Sequence, residues 1–170
     1  MTAFVALLRA VNVGGTGKLP MSALKAMCED AGFTKVKTYI ASGNVVFESA
    51  MKEAEVAAVL DKKLAAYAGK PVGVMVRTAA EMGAVLAGNP FPGAKPNYTV
   101  AIFLKTAPAK DALDGMVAPD GEEARLGKRE IYVHYPHGQG RSKLKLRAAK
   151  AGTARNINTV AKLAEMATAL

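Results

Sequence analysis

"KVKTYIASGNVVFES", residues Lys35–Ser49, decides the fold. Its residues alternate on both sides of Ser42-Gly43-Asn44, and Gly43 and Asn44 both tolerate the positive φ of a tight turn. The stretch therefore predicts a hairpin of two strands. Upstream, "MSALKAMCEDAGF" (Met21–Phe33) spaces Met21, Leu24, Met27 and Cys28 as one helical face. Pro20 suits the first turn of that helix, and Gly32 suits its stop. Before it, the apolar run Phe4–Val11 breaks into "NVGGTGKLP", a strand followed by a loop. Downstream, Val56, Val59, Leu60 and Leu64 mark a second helix ending near Gly69, and "PVGVMVRT" follows as a strand.

The order is thus βαββαβ, the ferredoxin-like plan. Right-handed crossovers put both helices on one face of a four-stranded antiparallel sheet. Residues 1–78 form this first lobe. Residues 79–170 predict a second, permuted lobe of the same α+β class. "AAEMGAVLAG" reads as a short helix, "NPFPGAKPN" as a proline-stiffened loop and "YTVAIFL" as a strand. "AKDALDGMV" reads as a short helix, and "EARLGKREIYVHY" as two strands around Gly127-Lys128. Two helices, the first basic and the second amphipathic, are expected to close the chain. A lobe of about 80 residues is marginal alone, so the two are expected to form one compact domain.

The composition sets limits on function. No apolar run approaches the roughly 20 residues of a membrane helix. The apolar start lacks a basic leader and is interrupted by Arg9, unlike a signal peptide. Cys28 is the single cysteine, so neither an intrachain disulfide nor a cysteine-built zinc site is expected. These features predict a cytoplasmic, cofactor-free protein. The net charge of +9 is unevenly spread. Residues 125–170 carry 10 basic and 2 acidic residues, whereas residues 1–124 carry 13 and 12. A local excess of +8 points to an anionic partner, nucleic acid or a small anionic ligand. The alternative is a solvated face that keeps the protein soluble. Membrane binding is not expected, because the closing helix is Ala-rich and lacks aromatic anchors.

The motifs are partial. "GGTGKL" (Gly14–Leu19) places Asn12 where a P-loop needs its first glycine and Leu19 where it needs a hydroxyl. What survives is a glycine-rich turn whose N–H groups, with Lys18, suit an anion. Phe4 and Phe47 occupy strand positions where RNA-recognition domains stack bases, but the remaining signature is missing, and both read as core. His134 and His137 flank Pro136 with no carboxylate or thiolate at ligand spacing, so no metal centre is expected. Ser42 lacks a nucleophile elbow. Cys28, on an apolar helix face, reads as a buried structural thiol.

In "RSKLKLRAAK" (Arg141–Lys150), a helix would align Lys143, Arg147 and Lys150 on one face, facing a phosphate backbone. In "AGTARNINTVAKLAEMA", Thr153 is expected to cap the last helix, with Ile157, Val160, Ala161 and Ala164 buried. Arg155 then lies in the first turn, where a cation beside free N–H groups suggests a bound anion. A salt bridge to a nearby carboxylate would explain it equally well.

"LLRAVNVGGTGKLPMSAL", "TYIASGNVVFES" and "GRSKL…TARNINTVAKLAEMA" together resemble the bacterial family known as domain of unknown function 1697. The resemblance implies ferredoxin-like halves but no established activity. It implies a shared site among Arg9, Asn12, Gly14, Gly15, Ser42, Gly43, Asn44, Arg141, Ser142, Thr153, Arg155, Asn156, Asn158 and Thr159. Members usually carry Gln and Trp where this chain has Ala41 and Ile157.

The leading expectation is an anion-binding module. Arg141, Lys143, Arg147, Lys150 and Arg155 are expected to contact phosphates, and Asn156 and Asn158 to add hydrogen bonds. Lys18, Ser142 and Thr153 are also counted among the ligand-binding residues, with polar residues of the N-terminal loop and first hairpin completing a groove. The alternative is an enzyme or binding protein for a small phosphorylated or carboxylated metabolite, held by Arg9, Asn12, Ser42, Asn44 and Arg155. A third reading is an interaction module whose basic tail binds an acidic protein.

Overall fold

The structure, a computed structural model, describes residues 1–9, 18–40 and 42–170. The chain divides into two compact units, Met1–Met82 with Leu163–Leu170, and Gly83–Lys162.

In the first unit, β1 (Thr2–Leu8) and β3 (Asn44–Ser49) are the inner strands of an antiparallel sheet. Their outer neighbours are β2 (Thr34–Thr38) and β4 (Val74–Thr78), giving the order β2-β3-β1-β4. The two-residue period sends Phe4, Ala6, Leu8, Val45, Phe47, Val74 and Val76 into one core. Against them α1 (Met21–Asp30) brings Leu24 and Cys28, and α2 (Glu53–Ala68) brings Val56, Leu60 and Leu64. Phe33 stacks on Phe47 at 4.3 Å, so Phe47 and its neighbour Phe4 are core residues. Helix α2 stops at Gly69, whose φ of 73° suits a residue without a side chain.

The second unit repeats the strand order. The strands β5 (Thr99–Phe103), β6 (Glu123–Leu126), β7 (Glu130–His134) and β8 (Thr153–Asn156) run β6-β7-β5-β8, again all antiparallel. Helix α3 (Ala79–Ala87) precedes β5, and α4 (Ile157–Thr168) follows β8. Val100, Ile102, Ala124, Ile131 and Val133 line one face of this sheet. Where the first lobe covers that face with helices, the second uses the irregular segments around Leu113, Met116, Leu144 and Leu146.

Three local expectations are overturned. "AKDALDGMV" forms successive tight turns, with Ala112 N–H donating to Ala109 O and Asp114 N–H to Asp111 O, both at 2.9 Å. Starting a helix fixes several dihedrals per hydrogen bond, and nine residues containing Gly115 do not offset that cost. "RSKLKLRAAK" is not an α-helix either. Gln139–Arg141 is a 3-10 turn, Ser142 and Leu146 have extended backbone, Lys145 forms a two-way bridge to Val117 (2.9 and 3.0 Å), and Arg147–Ala151 is a second 3-10 turn. Leu144 and Leu146, two residues apart, both pack on the core, which only a strand-like backbone permits. Finally, Thr153–Asn156 is a strand paired with β5, so Thr153 is not a helix cap. The cap is Asn156, whose Oδ1 accepts from Thr159 N–H at 2.9 Å. In α4 the buried residues are Ile157, Thr159, Val160, Leu163, Ala164 and Ala167, with Ala161 only half-buried.

Candidate functional site

Extended backbone sorts the basic tract by parity. Ser142, Leu144 and Leu146 turn inward, while Arg141, Lys143, Lys145 and Arg147 are exposed. Between Lys143 and Lys145, about 3.3 Å per residue gives a separation of about 6.6 Å, while Arg141 closes the 3-10 turn Gln139–Arg141 and Arg147 opens the 3-10 turn Arg147–Ala151 at the two ends of the row. Among the described residues no carboxylate forms an ion pair with any of these four. Lys150 lies beyond them on the 3-10 turn, exposed. The cations expected on a helix face are therefore brought together as a strand-like row, and Lys145 joins it. The signal was the alternation "KLKLR", which has the period of a strand rather than a helix.

Beside the row is a cavity of about 310 Å³. Its walls come from Asp120 and Glu122, from Tyr135–Gly138, and from Arg141–Lys143. Glu122 is 5% exposed and anchors the cavity. Its Oε1 accepts from Asp120 N–H at 2.8 Å, and its Oε2 accepts from Ser142 Oγ at 2.5 Å. Ser142 Oγ in turn accepts from Leu144 N–H at 3.1 Å. The Ser142 hydrogen bond holds the Glu122 carboxyl below its ordinary value against the opposing effect of burial, with backbone N–H groups and the nearby His137 assisting. Glu122 is thus ionised at neutral pH and acts only as an acceptor. Sequence reasoning missed it, because an isolated "PDGE" turn gives no hint that Ser142 folds back onto it.

Arg155 does not belong to the row. It pairs with Ala101 across β8 and β5, on the sheet face opposite Ala154 and Ile102, which pack with Leu146. Its side chain is 7% exposed and donates to Thr153 Oγ1 at 2.6 Å and to Ala154 O at 3.0 Å. Burial lowers its pKa to about 10. Arg155 is therefore a strand residue and does not lie in the first turn of α4, where the sequence pattern put it. Asn156 is occupied as a cap, and Asn158 is exposed.

In the first unit, Arg9 is half-buried, its N–H donating to Gly73 O at 3.1 Å, and Lys18 is exposed. Asn44 is fully buried, and its Nδ2 donates to both Tyr39 O and Ser42 Oγ at 2.9 Å. Ser42 and Asn44 thus tie the hairpin together. Asn12, Gly14 and Gly15 lie outside the described residues. The thiol of Cys28 is buried in the core, which raises its pKa to about 12. No group of three or more His, Cys, Asp or Glu among the described residues is arranged to hold a metal ion. No helix among them is long and apolar enough to cross a membrane.

No curated protein matches the sequence. The conserved bacterial protein SP0830 from Streptococcus pneumoniae has a similar solved structure, with a TM-score of 0.81 at 24% identity over 98% of each chain. At that identity the likeness concerns the fold. The model of a family described as protein of unknown function, DUF1697, matches residues 1–132, which include the glycine-rich loop and the first hairpin but not the basic row. Over more than three quarters of its length, then, the chain carries the pattern of DUF1697, and it belongs to that family.

Proposed function

We propose that this protein is an anion-binding module whose basic row engages the phosphate backbone of nucleic acid. The observation that carries the reading is the exposed row Arg141, Lys143, Lys145 and Arg147, with no ion pair to a carboxylate among the described residues. The Lys143–Lys145 step of about 6.6 Å is close to two steps of about 3.4 Å along one strand of a duplex. Such contacts orient a nucleic acid without reading its sequence. Lys150 extends the row, and Arg155 supports the sheet behind it. The lone buried thiol of Cys28 suits a reducing, cytoplasmic setting.

The test is titration of labelled single- and double-stranded DNA and RNA across a salt series. Four contacts give a slope of log affinity against log salt of about −2.8 for single strands and about −3.6 for duplexes. Absence of binding at 50 mM salt would retire the proposal.

A further inference from the structure

The cavity beside the row has a different character from the row itself. Its lining carries both signs of charge, an acidic pole of Asp120 and Glu122 and a basic pole of Arg141 and Lys143, with Ser142 of the basic segment bonded to Glu122. Their formal charges cancel, so a simple phosphate entering the cavity meets two carboxylates as well as two cations. A ligand that suits both poles must carry hydrogen-bond donors at one end and an anion at the other.

The acidic pole is specific. Glu122 accepts from Asp120 N–H on Oε1 and from Ser142 Oγ on Oε2, and its own backbone N–H also acts on the carboxylate. A carboxylate offers about four lone-pair sites, so room is left for one further donor. The two existing bonds fix the carboxylate plane, so a donor meets a pre-oriented acceptor. Tyr135, an aromatic residue that is mostly buried in the core, also forms part of the lining. The volume of about 310 Å³ falls at the small end of ligand pockets and is ample for one planar base. The basic pole is shared, because Arg141 and Lys143 are the first two cations of the row. A backbone lying on the row therefore passes beside the cavity.

We propose that the cavity receives one base of a bound single strand, and that Glu122 selects a base bearing an exocyclic amino group while Arg141 and Lys143 hold the adjoining phosphate. The inference rests on the phosphate-binding reading above and narrows it to single strands, since a base inside a duplex cannot leave its stack without unpairing. Cytosine is the simplest case. Its N4 amino group donates to a carboxylate, whereas uracil presents a carbonyl oxygen at the same position and is repelled.

The experiment compares cytidine and uridine oligoribonucleotides of equal length, together with CMP and UMP, on the wild-type chain and on Glu122→Gln. Amide shifts of the 15N-labelled wild-type protein serve as a readout that needs no variant. A hydrogen bond to an ionised acceptor predicts that the cytidine oligomer binds about tenfold tighter than the uridine oligomer. CMP, and not UMP, should shift the amides of Asp120, Glu122 and Ser142. In Glu122→Gln the amide oxygen still accepts from Asp120 N–H and the amide nitrogen donates to Ser142 Oγ, so the shape is kept. That nitrogen also offers a donor to uracil, and the preference should narrow to within about threefold or reverse, with the salt slope unchanged. Equal, salt-dependent binding of both oligomers by the wild type would overturn this inference and leave the phosphate-binding reading standing. A tenfold preference that persists in Glu122→Gln would also overturn it. If neither oligomer binds but CMP alone shifts those amides, the strand reading fails and the cavity stands as a free-nucleotide site. If nothing binds, both readings fall.

Discussion

Removing the far half of the basic row separates phosphate contact from net charge. Lys145→Gln with Arg147→Gln deletes two adjacent exposed cations, and Lys25→Gln with Lys62→Gln deletes two exposed cations on helices α1 and α2. Both double variants lose the same formal charge. Counterion release depends on the phosphates actually contacted, at about 0.7 per contact for single strands. The wild-type slope of about −2.8 should therefore fall to about −1.4 in the row variant and stay near −2.8 in the helix variant. If the non-ionic part of binding is unchanged, the lines meet at 1 M salt. The row variant then binds about 25-fold more weakly at 0.1 M salt, a difference of about 2 kcal/mol. Fluorescence anisotropy with a labelled oligonucleotide at five salt concentrations measures both quantities. Equal slopes for the two double variants would refute the reasoning, because attraction would then follow overall charge and not the row.

Other predictions concern the framework that presents the row. A Cβ at Gly152 would lie 2.6 Å from Phe103 O and 2.8 Å from Ile102 Cγ2, both on the inner strand β5. Gly152→Ala should therefore cost about 1–3 kcal/mol and lower the melting temperature by several degrees, and an unchanged melting temperature would contradict the packing. Asn156→Ala removes the α4 cap and should cost about 1 kcal/mol in denaturant unfolding while leaving the salt slope intact. The native Cys28 thiol should resist a thiol reagent at pH 8 and react once the protein unfolds. Its folded pKa of about 12 lies above its ordinary 9.0. The native state therefore holds the proton more tightly, and the thiol's contribution to stability is complete below about pH 9 and lost as pH rises toward 12. Alkaline unfolding of Cys28→Ala should accordingly depend less on pH over that window.

Much of the fold was legible in the sequence because its signals are local. The hairpin at Ser42–Asn44, the helix over Met21–Asp30 and the stop at Gly69 follow from side-chain period and from glycine's access to positive φ. The ferredoxin-like strand order of the first lobe follows from the order of its elements and the handedness of their crossovers. The sequence also located the positive charge. It did not set that charge's geometry, because "RSKLKLRAAK" satisfies a helix through its cations and a strand through its leucines. The sheet core resolves the ambiguity: Leu144 and Leu146 both reach it, and the cations follow by parity. The same holds for Arg155, whose pairing with Ala101 takes it to the opposite face from the row. Glu122 becomes a site residue only when Ser142, twenty positions away, closes on its carboxylate. Residue types and local periods are written in the chain, but which face a side chain takes, and which distant group it meets, is decided by packing.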